Sequence, residues 1–373
     1  MKKQSIIIPF HKDKNMLFYS LKTLMATIDE EIEVIIVGNN MNYDEIDFDI
    51  PFPNCKYYKI KENLFYPKAI NYGVSKCNGD IITLCDPDIF YTKGWYKPLL
   101  KMIDKDTVGS VSSKLINPCN GRIMEYGVYF SKYNAIHAAA GLKKTHRLAS
   151  IDRKAQAACS AILMTKKDLF FNIGGMDHDL PFAYTDFDYC IKLNKLGYDT
   201  WIASDSEVYH KGNTDPNNSK YYSFGYLRTE CKGMFYAKDF SKLSLDFMEW
   251  FKVTADYFKD EHPEIENKFM LVDLSTMYNR DEFYNIIQNV LNVEFLDYYQ
   301  VNMKTRNVKD IALHNTISFN LIDLNTPILL FVDTFLSLFN NRLWFNLRDI
   351  SKDIVVDKNG NFLMLSDIAN GDC

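Results

Sequence analysis

Along the first half of the chain, short apolar runs alternate with stretches of helical period, the pattern of an open α/β sheet. Ser5 to Ile8 reads as a buried strand that ends at Pro9, and Pro9, Phe10 and His11 stand at its carboxyl end. From Asn15 to Ile28 the residues Met16, Leu17, Leu21, Leu24, Met25 and Ile28 fall on one helical face. Glu33 to Val37 is a second strand, stopped by Gly38-Asn39-Asn40, and Lys56 to Ile60 is a third. Pro67 suits the first turn of a helix that carries Ile70, Val74 and Cys77 inward. Asp80 to Cys85 is a fourth strand, running directly into Asp86-Pro87-Asp88. Polar residues thus follow each strand, at the sheet edge where open α/β folds bind their ligands.

The texture changes at Asp215-Pro216-Asn217-Asn218-Ser219, a turn-rich stretch that suggests a boundary between residues 1–215 and 216–373. The later part shows helical patterns at Phe247–Phe258 and Asp281–Leu291 and a hairpin around Asn359-Gly360, so it reads as mostly helical with a hairpin at its end. Just after the boundary Lys220, Tyr221, Tyr222, Tyr226, Arg228, Lys232, Tyr236, Lys238 and Lys242 interleave base and ring. They read either as a solvated helix with buried tyrosines or as a surface for an acceptor or an anionic membrane.

A length of 373 residues favours two domains, and the balance of 47% hydrophobic with 24% charged residues supports a sizeable core. The net charge of −5 argues against a nucleic-acid partner, which needs a basic face. Eight scattered cysteines with no C-x-x-C pair give no zinc-site or redox signature. Ile6-Ile7-Ile8, cut off by Pro9, is too short for a signal-peptide core, and no stretch reaches membrane-spanning length. The expectation is a cytoplasmic protein, with contact at the inner face of the membrane left open.

Two clusters carry chemistry. Asp86-Pro87-Asp88 places two carboxylates one residue apart at a strand terminus, where they can hold a divalent cation; the same residues also suit a type I turn. Further on, Gly174-Gly175-Met176-Asp177 forms a turn before Thr185-Asp186-Phe187-Asp188, an acidic helix start in which Thr185 and Asp188 have capping-box spacing. That helix ends at Gly197, and a lone His210 follows.

Taken in order, these motifs resemble the inverting family-two glycosyltransferases. The likeness spans Ser5–Pro9, Gly79–Asp88, Ala161–Met164, Gly174–Asp177, Asp186–Leu193, Leu196–Tyr198 and Glu207–His210, over roughly residues 5–213. It implies a GT-A fold in residues 1–215, a Rossmann-like open mixed sheet flanked by helices, with 216–373 serving acceptor, membrane or oligomer contacts. It implies that Asp88 ligates Mn²⁺ or Mg²⁺ directly and that Asp86 meets the nucleotide ribose or a metal water. His210 approaches the metal or the diphosphate, and Asp186 is the catalytic base. Asn71 and Gly73 match a recurrent Asn-x-Gly, with Lys68 a phosphate or base contact; ordinary helix packing explains them equally well. Pro9, Phe10, His11, Asn39, Lys68, Asn71, Asp86, Pro87 and Asp88 make the expected nucleotide-sugar site.

Two departures from the family pattern stand out. Asn39 occupies the place where relatives carry a base-reading Asp, though its amide offers a uracil or thymine edge both a donor and an acceptor. Thr185 replaces the acid that commonly precedes the base. The implied reaction is an inverting transfer from a nucleotide-diphosphate sugar, UDP-sugar favoured, to a hydroxyl of a glycan or lipid-linked glycan, in surface-polysaccharide biosynthesis. The stretch Tyr126–Arg147, with His137, Lys143, Lys144 and His146, is placed beside the acceptor by chain order alone. The alternatives are a sugar nucleotidyltransferase, against which the absence of a Gly-rich basic loop after the first strand speaks, and a non-catalytic glycan-binding protein.

Overall fold

Uninterrupted apolar sequence becomes strands buried on both faces. In β1 (Gln4–Phe10) and β2 (Glu33–Asn39) every residue after the first is buried, as expected of parallel strands covered by helices on both sides. The computed structural model describes residues 3–11, 13–29, 31–39, 52–130, 135–212, 230–238, 245–273, 280–300, 326–332 and 349–369. It comprises two units, Met1–Ser244 and Leu245–Cys373. The turn-rich stretch that suggested a boundary at residue 215 lies outside the described residues.

The first unit is built on a ten-stranded mixed sheet. β1 pairs in parallel with β2 and with β4 (Ile81–Cys85), and β2 with β3 (Cys55–Ile60). β11 (Ile162–Lys166) runs antiparallel between β4 and β6 (Val108–Ile116). β12 (Asp199–His210) lies parallel to β6 and antiparallel to β10 (Arg153–Ala155). Two short strands branch off: β5 (Ile89–Tyr91) pairs with the end of β12, and β7 (Ile123–Glu125) with β6. β8 (Val128–Phe130) and β9 (Ala135–His137) form a separate ribbon. The flanking helices are α1 (Lys14–Met25), α2 (Phe65–Lys76), α3 (Tyr96–Ile103), α4 (Lys167–Asn172), α5 (Thr185–Lys195) and a helical segment α6 at residues 230–236. This is the open mixed sheet flanked by helices that the sequence predicts.

Local chemistry fixes the helices on the sheet. Asp13 accepts the Met16 amide at 3.0 Å and caps α1; Leu17, Leu21 and Leu24 then face the core. Helix α2 approaches β1 so closely that a Cβ on Gly73 would lie 2.5 Å from Ile7 Cγ2, so Gly73 is a packing residue. At the far end of the sheet Glu33 accepts hydrogen bonds from Ser5 Oγ, the Asn78 backbone and side-chain amides, and Lys56 Nζ. Burial alone raises this carboxyl, but those four donors outweigh it and hold the group down at about 2. Its folded value thus lies below its unfolded one, so its stabilisation is present above the unfolded value and fades as pH falls toward 2. Glu33→Gln should cost about 1–2 kcal/mol in urea unfolding at neutral pH, a gap that narrows on acidification. An unchanged gap at pH 3 overturns this assignment.

The second unit holds a five-stranded sheet of its own. β13 (Lys268–Asp273) pairs in parallel with β14 (Glu294–Gln300) and β15 (Ile328–Val332), β15 with β16 (Ile354–Asp357), and β17 (Phe362–Met364) closes an antiparallel hairpin on β16. The helices α7 (Leu245–Glu261) and α8 (Arg280–Leu291) correspond to the two expected from periodicity, and α9 spans Leu365–Ala369. Trp250 of α7 donates to the Asn359 carbonyl at 3.0 Å, and the Phe251 and Phe258 rings meet Phe362 at 5.3 and 5.8 Å. The region is therefore α/β rather than mostly helical. Phe-Met-Leu-Val in β13 and Ile-Leu-Leu-Phe-Val in β15 are continuous apolar runs buried throughout, and such runs carry no period that separates strand from helix. Among the described residues no helix is long and apolar enough to cross a membrane.

Candidate active site

Three elements bring the acidic cluster together. β4 ends at Cys85, and the Asp86 amide donates to the Ala161 carbonyl at 3.0 Å, which fixes the chain as it leaves the sheet. The turn through Asp88 leads into β5, whose Ile89 pairs with His210 at the end of β12. The Lys211 amide closes onto the Asp88 carbonyl at 3.1 Å. His210 Nε2 consequently lies 3.3 Å from Asp88 Oδ1 and 3.7 Å from Asp86 Oδ2. One ligand atom from each of Asp86, Asp88 and His210 falls within 4.8 Å of the others. The turn and the cluster are thus the same structure.

The electrostatics fit a cation. Burial, with added repulsion from Asp88 and Asp186, pushes the Asp86 carboxyl up to about 7 even though His210 pulls it down. Burial works against protonated His210, but the hydrogen bond to Asp88 and the carboxylates around it prevail and raise its affinity for a proton. Without a cation Asp86 and His210 therefore hold protons more readily than usual. Two carboxylate oxygens and an imidazole nitrogen are a donor set that Mn²⁺ and Mg²⁺ accept.

Asp186 stands in the first turn of α5, where the helix dipole favours a carboxylate. Its Oδ2 accepts from the Ser160 amide at 3.0 Å and the Ser160 hydroxyl at 3.3 Å, and its Oδ1 from the Phe187 amide at 3.0 Å. Burial, and after the Ser160 bond the neighbouring Glu125 carboxylate, leave its proton affinity above the usual carboxylate range. The expected capping box is absent. Tyr184, in the left-handed region at φ 67°, takes the cap position without a side-chain bond, and Thr185 Oγ1 turns to the Asp177 carbonyl at 3.4 Å. Asp188 instead binds Lys192 at 2.7 Å and Lys238 at 2.6 Å, and Lys238 also holds Asp177 at 2.8 Å. Lys238 is therefore engaged in an ion-pair network, while residues 220–229, most of the basic and aromatic series, lie outside the described residues.

The structure distributes the other expected site residues between several roles. Asn39 Oδ1 accepts the Leu64 amide at 2.6 Å and its Nδ2 donates to Asn63 at 3.2 Å, so its amide holds the start of α2, with one lone pair and one N–H beyond those bonds. Asn71 donates to the Met176 carbonyl and accepts the Met176 amide, both at 2.9 Å, pairing with the chain as a strand edge does. It clamps the Gly174-Gly175 turn, with Gly175 at φ 69° and so close that an added Cβ would sit 2.6 Å from Asn71 Oδ1. Pro9 and Phe10 are buried in the core. His11 Nδ1 lies 3.0 Å from the Asn39 carbonyl oxygen, and Lys68 is exposed on α2.

Several residues were not singled out by sequence reasoning. Glu125, buried at the end of β7, accepts the Cys159 amide at 2.7 Å and meets His137 Nδ1 at 3.0 Å. The consecutive amides of Cys159 and Ser160 thus hold two carboxylates, Glu125 and Asp186. Tyr66 donates to the Ser160 hydroxyl at 2.7 Å. Within Tyr126–Arg147, Lys144 binds Glu207 at 3.0 Å, as does Lys114. No signal short of the fold marks Glu125, Ser160 or Tyr66, since their partners are distant in sequence; His137, Lys144 and Glu207 lie in stretches that the sequence singles out, without their pairings.

Residues 5–170 match the family model described as glycosyl transferase family 2, which takes in Asp86 and Asp88. The match takes in less than half of the 373-residue chain and stops short of Asp186 and His210. A curated relative, the protein y4gI of Sinorhizobium fredii, is 25% identical over 224 residues, covering 55% of this chain and 24% of its own length. The chain thus spans about a quarter of the relative it matches. Among solved structures, GalNAc-T7 with UDP, GalNAc and Mn²⁺ is similar at 15% identity and a TM-score of 0.49, over 70% of this chain and 55% of that one. The mannosyltransferase PcManGT from Pyrobaculum calidifontis, in complex with GDP-Man and Mn²⁺, is 14% identical with a TM-score of 0.46, over 64% of each chain. TarS 1-349 of S. aureus is 14% identical with a TM-score of 0.42, over 78% of this chain and 90% of that one.

Proposed function

We propose, from the likeness of residues 5–170 to glycosyl transferase family 2, that the chain is a glycosyltransferase that transfers a sugar from a nucleotide-diphosphate donor to an acceptor hydroxyl, with metal assistance and inversion at the anomeric carbon. The observation that carries this reading is the meeting of Asp86, Asp88 and His210 at the carboxyl edge of the sheet. Asp88 and His210, with Asp86, would hold Mn²⁺ or Mg²⁺. When bound, such a cation neutralises charge on the departing diphosphate. The residues of the chain do the rest. Asp186, held by Ser160 and Phe187, accepts the proton of the acceptor hydroxyl as that oxygen attacks. Its raised proton affinity brings it nearer the working pH, where a general base is most effective. A single displacement with one base inverts the anomeric configuration.

The acceptor in this proposal is a hydroxyl of a glycan or lipid-linked glycan, in polysaccharide synthesis. The donor in this proposal is a nucleotide-diphosphate sugar, a UDP-sugar favoured, with the remaining lone pair and N–H of the Asn39 amide, otherwise held by Asn63 and Leu64, offered to the base edge. A panel of UDP-, GDP- and dTDP-sugars with Mn²⁺ or Mg²⁺, read by release of nucleoside diphosphate, tests the activity. Excess EDTA should abolish that release and added Mn²⁺ restore it; full turnover in EDTA overturns the metal-dependent reading.

A further inference from the structure

We propose that Tyr66 and Ser160 form a directional hydrogen-bond relay that holds Asp186 as an acceptor and selects which of its oxygens takes the proton. This rests on the reading of Asp186 as the base. The relay runs from the Tyr66 hydroxyl to Ser160 Oγ at 2.7 Å, and from Ser160 Oγ to Asp186 Oδ2 at 3.3 Å. A serine hydroxyl has one proton to give. While the phenol donates to Ser160, that proton is free for Asp186; were the phenol an acceptor, the carboxylate would lose it. Burial, and the nearby carboxylates Asp86 and Asp186, keep the Tyr66 phenol protonated, so it always has a proton to donate. The Ser160 carbonyl, the other acceptor near Tyr66, is farther away at 3.4 Å.

The result is asymmetric. Oδ2 takes both the hydroxyl and the amide of Ser160, whereas Oδ1 takes the Phe187 amide. In this relay Oδ2, which alone takes a hydroxyl, anchors the group and Oδ1 receives the acceptor's proton, while the amides of Phe187 and of Asp186 itself also donate to the carboxylate. The backbone is shaped to aim the relay. Phe65, immediately before Tyr66, sits at φ 54°, and Tyr184, two residues before Asp186, at φ 67°. Non-glycine residues in this region cost energy and persist where the surrounding structure holds them. Here the hold is visible: the Tyr66 amide reaches the Pro181 carbonyl at 3.4 Å and Asn71 clamps Met176. Helix α2 is thereby tied at two points to the segment that delivers Asp186. Besides Tyr66, the titratable groups around Asp186 are Glu125 from β7, with His137 on it, Cys159 beside Ser160, Cys190 one turn on in α5, and Asp86 from the end of β4. The amide and hydroxyl of Ser160 both donate to Asp186 and so favour its ionised form against those carboxylates.

Tyr66 and Ser160 are positioning residues, and the test separates that role from folding. Tyr66→Phe removes one oxygen and keeps the ring. With the best donor of the panel, it should lower kcat about tenfold, roughly the worth of one hydrogen bond lost from the chain that ends on the carboxylate, with KM for the donor unchanged within about twofold. Ser160→Ala should lose at least as much, and Ser160→Thr should keep activity within about threefold. The Tyr66→Phe/Ser160→Ala double variant should be no slower than Ser160→Ala, because both changes break one chain. Independently of any donor, the ¹³C carboxyl resonance of Asp186, assigned by its loss in Asp186→Asn, should titrate at higher pH in Tyr66→Phe with Mg²⁺ present. An unmoved titration in Tyr66→Phe, or losses that multiply in the double variant, overturns the relay. If Asp186→Asn itself keeps native turnover, the base reading has failed instead, and the two failures are distinct.

Discussion

Replacing Asp186 with Asn should lower turnover by about 10²–10⁴-fold, the range for a lost general base, while donor and metal still bind. Asn keeps the carbonyl oxygen that accepts the Ser160 amide and hydroxyl, so the turn before α5 should hold. What it loses is the charge and the lone pair for the acceptor's proton. The contrast is Asp188→Asn, two residues on, which leaves Lys192 and Lys238 without their shared carboxylate. That change should cost about 1–3 kcal/mol of stability and little chemistry. NMR of the native product should show a single inversion. Near-native turnover in Asp186→Asn, or a retained anomeric configuration, excludes this base.

Asp88→Ala should be nearly as severe, with kcat/KM down about 10³-fold, because a cation at a departing diphosphate supplies several kcal/mol. Asp88 is half-buried and its carboxylate faces His210 at 3.3 Å, so thermal unfolding should shift little. The loss should respond only weakly to raised Mn²⁺, since Asp86 and His210 remain but no longer form the full set. A variant that turns over donor within about tenfold of the native chain, at ordinary Mn²⁺, would show that the cation sits elsewhere.

Much of this site can be read along the chain, because its parts lie where strands end. Asp86 and Asp88 follow an apolar run, and a strand terminus in an open sheet projects toward ligand. What escaped reading depends on partners far away in sequence. Asn71 looks equally like a ligand contact or a packing residue until Met176 appears across from it. Thr185 and Asp188 have the spacing of a cap, yet Tyr184 adopts a left-handed backbone and Lys238 claims the Asp188 carboxylate. Tyr66 and Ser160 carry no local pattern at all; only the fold sets one hydroxyl against the other. In the second unit the misreading had a different source, since β13 and β15 are too apolar for either period to show.

β12 supplies both an interior strand of the sheet, between β6 and β10, and the imidazole of the acidic cluster. It is also among the last parts of the first unit to be synthesised, pairing Asp199 with Val108 and placing His210 beside Ile89. On the ribosome, then, Asp86 and Asp88 emerge well before their third partner, and β6 waits with an unpaired edge. Domains complete as units once such distant strands arrive, so the nascent chain gathers the acidic cluster and covers that open edge in one late event. A ribosome-bound chain halted before residue 199 should therefore bind Mn²⁺ poorly and recruit chaperones, whereas one released past residue 211 should do neither.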